Sequence, residues 1–80
     1  MRAFRIRQSS VIDRIAYDDA AATLCIEFRG TGTYHYFDVP AEVFDGFRHA
    51  SSVGAFFNEH IKDRFRCQRD PGRRRFGSNA

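Results

Sequence analysis

The sequence predicts a small α+β domain, built as a three- or four-stranded antiparallel β-meander with two short helices packed on one face. Two patterns indicate this class: apolar residues alternate with polar ones in the first half of the chain, and they recur at helical spacing after Pro40. The 80 residues suffice for one domain. A hydrophobic share of 42% and a charged share of 29% are typical of globular proteins.

Three segments carry the strand pattern. Residues 11–17 are rich in β-branched side chains, residues 23–29 alternate strictly, and residues 33–37 follow a Gly-Thr-Gly turn. Strict alternation indicates a strand with one buried face. The basic residues 1–8 alternate in a similar way and could add a short edge strand, whose arginines would discourage pairing with another chain.

The spacing of apolar residues changes after Pro40, a residue favoured at the first helical position. Two apolar stripes follow at helical spacing, separated by the capping pair Ser51-Ser52. The stripes consist of Val43, Phe44, Phe47 and Ala50, and of Val53, Phe56, Phe57, Ile61 and Phe65. Gly54 lowers helix propensity in the first turn of the second helix, which predicts close packing or a tight entry there.

The hairpin between the second and third of these strands decides which aromatic side chains enter the core. A three-residue loop, Gly30–Gly32, would place Phe28 opposite Tyr34 and Ile26 opposite Tyr36. Both tyrosines would then share the apolar face beneath the helices. A loop of two or four residues would turn both tyrosines outwards instead.

The same hairpin predicts the outer face. With a three-residue loop, His35 and Phe37 lie outside, and Phe37 is the one aromatic ring there. A sheet that stacks RNA bases usually offers two or three aromatic rings, so the sheet is not expected to be the main RNA platform. In the predicted register Cys25 is offset from His35. Without a paired nucleophile and base in a cleft, we expect no catalytic residues and no enzyme.

Charge is distributed unevenly along the chain. The net charge is +3, made of +3 in residues 1–8, −5 in residues 9–61 and +5 in residues 62–80. Twelve of the 13 basic residues are arginine, the residue better suited to bidentate phosphate contacts. A basic end on an acidic body can bind nucleic acid, although a solvated tail that keeps the protein soluble has the same composition.

Other classes of site are not indicated. Cys25 and Cys67 are expected to be reduced thiols in a cytoplasmic protein, because no apolar signal-peptide core is seen at the start of the sequence. The cysteines and histidines show no close ligand spacing, so we expect neither a metal nor a cofactor. No run of 18 apolar residues predicts a membrane span. We expect a monomer.

These segments resemble the KTSC domain, a family named after a segment at the C-terminus of some lysyl-tRNA synthetases and also found as a free-standing bacterial protein. The matching motifs are Tyr34-His35-Tyr36, Val39-Pro40 and a helical set of Ser52, Gly54, Phe56, Phe57, Asn58, Ile61 and Lys62. Phe56 replaces the usual tyrosine. The resemblance covers about residues 9–65 and implies a small α+β fold, for which RNA binding is the usual conjecture. We therefore expect a KTSC-like domain over residues 9–66, followed by a basic flexible tail over residues 67–80 that lies outside the family pattern.

The resemblance and the basic end together predict a small non-enzymatic nucleic-acid-binding module, more for RNA (tRNA or single-stranded) than for DNA. Phosphate contacts would come from the end of the second helix and the tail, with Asn58, His35 and Phe37 as accessory residues. The basic candidates are Lys62, Arg64, Arg66, Arg69, Arg73, Arg74 and Arg75. The alternative is a protein-interaction module that binds no nucleic acid, which a large exposed apolar patch would indicate.

Overall fold

In the part of the chain that the structure describes, five antiparallel strands in sequential order form one sheet, and two helices lie in the chain between the fourth and fifth strands. The computed structural model describes residues 2–7 and 9–70. The elements are β1 (Arg2–Arg5), β2 (Ile12–Asp18), β3 (Thr23–Phe28), β4 (Gly32–Tyr36), α1 (Ala41–His49), α2 (Val53–Phe56), a π-helical turn (Phe57–Ile61) that continues α2, and β5 (Cys67–Arg69). The predicted α+β class is confirmed, with one strand more than the upper count. No helix in the described ranges is long and apolar enough to cross a membrane.

The additional strand, β5, lies where the sequence predicted a flexible tail. Backbone hydrogen bonds from the Phe37 N–H to the Arg66 carbonyl (2.9 Å) and from the Asp70 N–H to the Thr33 carbonyl (2.8 Å) hold it against β4. All three of its residues are exposed, so it lacks the apolar alternation that identifies a strand in a sequence. The remaining part of the predicted tail, residues 71–80, lies outside the described residues.

The β3–β4 loop also has three residues, but they are residues 29–31 rather than 30–32. Phe28 pairs directly with Gly32, which therefore belongs to β4. Gly30 occupies the middle of the loop with φ +75°, a conformation that L side chains rarely adopt. The predicted loop was therefore wrong by one residue at each end. As a result each β3 residue pairs with a β4 residue two positions earlier than predicted, for example Phe28 with Gly32 instead of Tyr34.

A shift of two residues keeps every side chain on its predicted face, because side chains in a strand alternate with a period of two. Tyr36 pairs with Leu24 and is 6% exposed, and Tyr34 pairs with Ile26 and packs against the core. The prediction that both tyrosines face the core is confirmed, whereas the predicted partners Ile26 for Tyr36 and Phe28 for Tyr34 were wrong.

The core fills the space between the sheet and the helices. The alternation and the helical stripes predict a core of Ile15, Tyr17, Leu24, Ile26, Phe28, Tyr36, Val43, Phe44, Phe47, Phe57 and Ile61. Most of these residues are buried, and Phe28, Val43 and Phe57 are half-buried around them. Four further hydrophobic residues of the described ranges, which that list does not contain, are buried as well: Ile6, Ile12, Val39 and Val53. Within residues 2–7 and 9–70, the buried hydrophobic residues are Ile6, Ile12, Ile15, Tyr17, Leu24, Ile26, Tyr36, Val39, Phe44, Phe47, Val53 and Ile61.

The second helix starts as predicted and ends differently. The Ser52 side chain accepts a hydrogen bond from the Ala55 N–H (3.2 Å), so Ser52 is its N-cap. The helix continues as the π-helical turn, in which the Lys62 N–H donates to the Phe57 carbonyl five residues earlier (2.8 Å). It ends at Ile61, because Lys62 is extended, and so Phe65 lies outside the helix. The close packing predicted at Gly54 was wrong, because no atom lies within 4 Å of the position that a Cβ would occupy.

Candidate nucleic-acid interface

The four described basic candidates follow one another at the end of the π-helical turn and along β5. Lys62 caps that turn, Arg64 lies in the following turn, Arg66 precedes β5 and Arg69 ends it, and all four are exposed. Asp63, with φ 63°, reverses the chain between the helix and the strand. We call Lys62, Arg64, Arg66 and Arg69 the basic edge, because β5 is the last strand of the sheet.

The cations of the basic edge lack the carboxylate partners that four of the six other described arginines have, Arg5 and Arg7 being the exceptions. Arg2 lies 2.9 Å from Asp19, Arg29 lies 3.3 Å from Asp13, and Arg14 and Arg48 also have carboxylate partners. Among the described residues, no ion pair joins any of the four basic-edge side chains to a carboxylate. Their charges are therefore available to an anionic ligand.

An aromatic ring and a guanidinium group lie together within this edge. Arg66 and Phe37 face each other across β4 and β5, with the guanidinium carbon 5.1 Å from the ring centre. The ring of Phe37 is half-buried. The guanidinium group lies over the ring, and a nucleic-acid base can stack against such a cation–aromatic pair.

Arg69 is held in a different way. Its guanidinium donates a hydrogen bond to the Thr31 carbonyl in the β3–β4 loop (2.7 Å), and its cross-strand partner is Tyr34. Arg69 is therefore on the opposite sheet face from Arg66. The candidates do not share one face of the molecule, and what unites them is the edge strand.

Of the three accessory candidates, Phe37 contacts the basic edge, whereas no hydrogen bond or ion pair among the described residues joins Asn58 or His35 to its side chains. Asn58 is exposed on the π-helical turn. His35 lies on the outer face, as predicted, but its ring contacts Cys25 (3.2 Å) and Asp70 (3.4 Å). The predicted offset between Cys25 and His35 was wrong, because the two are direct cross-strand partners. Arg73, Arg74 and Arg75 lie outside the described residues.

Asp70 was not singled out in the sequence, because it was assigned to the tail. Its contact with His35 follows from β5, and no pattern in the sequence indicates that strand. Neither these residues nor any other described group of three or more His, Cys, Asp or Glu side chains has the arrangement of a metal site. Cys25 and Cys67 are free thiols.

The described surface offers little to an apolar partner. Val11, at 55% exposed, is the one large hydrophobic residue that the described part of the chain exposes. Single exposed apolar residues are ordinary on protein surfaces, whereas contiguous patches mark interaction sites.

Comparison with known proteins places this geometry in a family. The KTSC domain model matches residues 8–65. A protein of Tsukamurella paurometabola is 46% identical over 60 residues, which are 75% of this chain and 90% of that protein. A lysine–tRNA ligase of Nostoc punctiforme is 38% identical over 61 residues, 76% of this chain but 11% of the ligase. The crystal structure of a KTSC domain protein from Yersinia pestis aligns with a TM-score of 0.82 and 38% identity, covering 86% of this chain and 96% of that one. The resemblance seen in the motifs is confirmed, and the chain belongs to the KTSC domain family.

Proposed function

We propose that this domain is a small RNA-binding module that holds tRNA or single-stranded RNA by its phosphates along the basic edge. The observation that carries the proposal is the basic edge itself: four exposed cations follow one another from the π-helical turn to the end of β5, and none has a carboxylate partner among the described residues. The sequence adds Arg73, Arg74 and Arg75 shortly after Arg69.

Arginine suits this role because its planar guanidinium can donate two parallel hydrogen bonds to one phosphate. Neutralising phosphates releases condensed counterions, so the affinity depends on salt and hardly on base sequence. Among the described residues, the Phe37–Arg66 pair offers a base a place to stack on the basic edge. Sequence preference should therefore be weak.

The relatives add context to the proposal. One of them is named as a lysine–tRNA ligase, an enzyme that by its name joins lysine to tRNA, and the matched stretch is 11% of it. A stretch of that size in a protein that handles tRNA is well placed to add phosphate contacts. We carry only this RNA context over to the present chain, and we assign no reaction to the module.

The test is a titration of fluorescently labelled tRNA and of a single-stranded RNA with the full chain at about 50 and 200 mM salt. If four to six cations reach phosphates on a single strand, log affinity should fall with log salt with a slope of about −3 to −4. The triple change of Arg73, Arg74 and Arg75 to Ala should flatten that slope without unfolding the domain.

A matched pair of double variants locates the binding surface. Arg64→Gln with Arg66→Gln removes two charges from the basic edge. Arg5→Gln with Arg7→Gln removes two exposed charges at the end of β1 and just after it, at the opposite edge of the sheet. We expect the first pair to reduce the slope by about 1.4 on single-stranded RNA, at about 0.7 per phosphate contact, and the second pair to change it much less.

Two outcomes contradict the proposal. An intact chain that binds neither RNA at about 50 mM salt would favour the alternative, a protein-interaction module. Equal losses in the two double variants would show that net charge, and not the basic edge, drives association.

A further inference from the structure

Three side chains form a chain of contacts on the outer face of the sheet, apart from the basic edge. The Sγ atom of Cys25 lies 3.2 Å from Nδ1 of His35, and Nε2 of the same ring lies 3.4 Å from Oδ2 of Asp70. Cys25 and His35 are cross-strand partners in β3 and β4, and the Asp70 N–H is anchored on the Thr33 carbonyl (2.8 Å). Three neighbouring strands thus place a thiol, an imidazole and a carboxylate in order.

The order of these groups determines where protons lie. An ionised carboxylate only accepts hydrogen bonds, so we assign the hydrogen of the neutral His35 ring to Nε2, the ring nitrogen that lies beside Asp70. Its Nδ1 then presents a lone pair towards the thiol of Cys25. A nucleophile beside a base that is oriented by a third group is the arrangement that activates cysteine in covalent chemistry.

The thiol is also accessible from one side. It opens into a shallow depression of about 210 Å³ whose lining includes Ala16, Arg14 and Glu27. Ala16 is the cross-strand neighbour of Cys25 on the side away from His35, and Ala3 is the next residue in that row. Because Ala16 and Ala3 are small, a reagent can approach the Sγ atom of Cys25 from their side, opposite to His35.

We propose that Cys25 is a site of reversible modification by small disulfides, with His35 as its general base and Asp70 as the positioning residue. His35 Nδ1 takes the thiol proton while the Cys25 sulfur bonds to one sulfur of the disulfide. The S–S bond of the reagent breaks, and its second sulfur leaves with the electron pair and then takes the proton from His35. Cys25 is oxidised to a mixed disulfide, and the departing thiol is the reduced product.

The surroundings of the thiol explain why a base is needed. Burial, with the carboxylates of Asp18 and Asp70, raises the pKa of Cys25, so few thiolates form at neutral pH without help. The charged or titratable groups around the thiol are Arg14 and Asp18 on β2, Glu27 on β3, His35 on β4 and Asp70 after β5. Cys67, exposed on β5 and paired with Tyr36, is on the other sheet face and has no part in this chain.

The experiment uses the full chain with Cys67→Ser and oxidised glutathione as the probe, and it follows mixed-disulfide formation by intact mass and peptide mapping. We expect an adduct on Cys25 that dithiothreitol removes. His35→Gln should slow its formation about 100-fold near pH 7, within the range of a positioned general base. Gln68→Ala, on the cross-strand partner of His35 in β5, is the matched control and should leave the rate unchanged.

The dependence of the rate on pH separates base catalysis from a structural effect. The parent rate should stay nearly level from about pH 7 to 8.5, whereas the rate of His35→Gln should rise about tenfold per pH unit as the thiol ionises. Asp70→Asn should move the profile towards that of His35→Gln, and Asp70→Glu should restore it in part. Urea unfolding of each variant shows whether the domain stays folded.

The proposal is overturned if Cys25 is modified only in denaturant, or if His35→Gln reacts as fast as the parent across this pH range. Neither result depends on RNA, so the outcome is independent of the proposed RNA binding.

Discussion

The hydroxyl group of Tyr17 donates a hydrogen bond to the carbonyl oxygen of Val39, 22 residues further along the chain, at a distance of 2.5 Å. Tyr17 is 2% exposed and Val39 is fully buried. In the same region the Val39 N–H donates to the Ala22 carbonyl (2.9 Å). These two bonds attach the segment that precedes α1 to β2 and the β2–β3 loop, and so they determine where the first helix begins over the sheet.

Removing the Tyr17 hydroxyl should destabilise the domain without removing its ring. Tyr17→Phe leaves the buried Val39 carbonyl without this partner, and we expect a loss of about 1–3 kcal/mol in the free energy of unfolding, measured in urea. Tyr34→Phe is the control, because its hydroxyl makes no hydrogen bond within the described residues. A loss for Tyr34→Phe as large as for Tyr17→Phe would contradict the assigned role of the bond.

Two neighbouring aromatic residues should respond very differently to truncation. Tyr36→Ala removes a ring that is 6% exposed in the core, and we expect a loss of about 3–5 kcal/mol in the free energy of unfolding. Phe37→Ala removes a half-buried ring on the opposite face, whose contact with Arg66 is worth about 0.5–1 kcal/mol. Chemical denaturation of both variants checks the register, and the reverse order would show that β4 had been placed with the wrong face inwards.

Two glycines offer a matched test of backbone conformation, since neither has an atom within 4 Å of an added Cβ. Gly54 lies in α2, so Gly54→Ala should stabilise the domain by about 0.5–1 kcal/mol through higher helix propensity. Gly30 has φ +75°, so Gly30→Ala should destabilise it by about 1–2 kcal/mol. Thermal and urea unfolding measure both. A destabilising Gly54→Ala would mean that this position is packed more closely than the structure shows.

Alkaline pH should unfold the domain through its buried tyrosines. Burial raises the pKa of Tyr17 and of Tyr36 above the ordinary value of 10.0. The folded state therefore favours the protonated phenols, and their contribution to stability is fully present below about pH 10 and decreases as the pH rises through that value.

The two tyrosines together should lower the free energy of unfolding by up to about 2.7 kcal/mol per pH unit above pH 10. Stability measured in urea between pH 9 and 11.5 tests this, and Tyr36→Phe should reduce the slope by about half. An unchanged slope in that variant would show that other groups dominate the alkaline transition.

The sequence alone determined the fold class, the helix that follows Pro40, the cap at Ser52 and the inward face of Tyr36. Each of these features depends on local chemistry or on the spacing of apolar residues, with a period of two in strands and 3.6 in helices. Both kinds of information are present in a single sequence. Family membership could also be inferred from the motifs. The separation of an acidic body from basic ends needed only a count of charges along the chain.

The tertiary structure decided which residues meet across strands. Moving the β3–β4 loop by one residue along the chain changes each cross-strand partner by two positions. Every side chain keeps its face, but every partner is different, and Cys25 comes to lie opposite His35. β5 has no apolar pattern and is held by backbone hydrogen bonds to β4. Only the tertiary structure therefore shows that Asp70 contacts the His35 ring and that the basic edge lies along a strand. Periodicity predicts the face of a side chain, whereas its neighbours depend on register, which loop geometry and packing decide together.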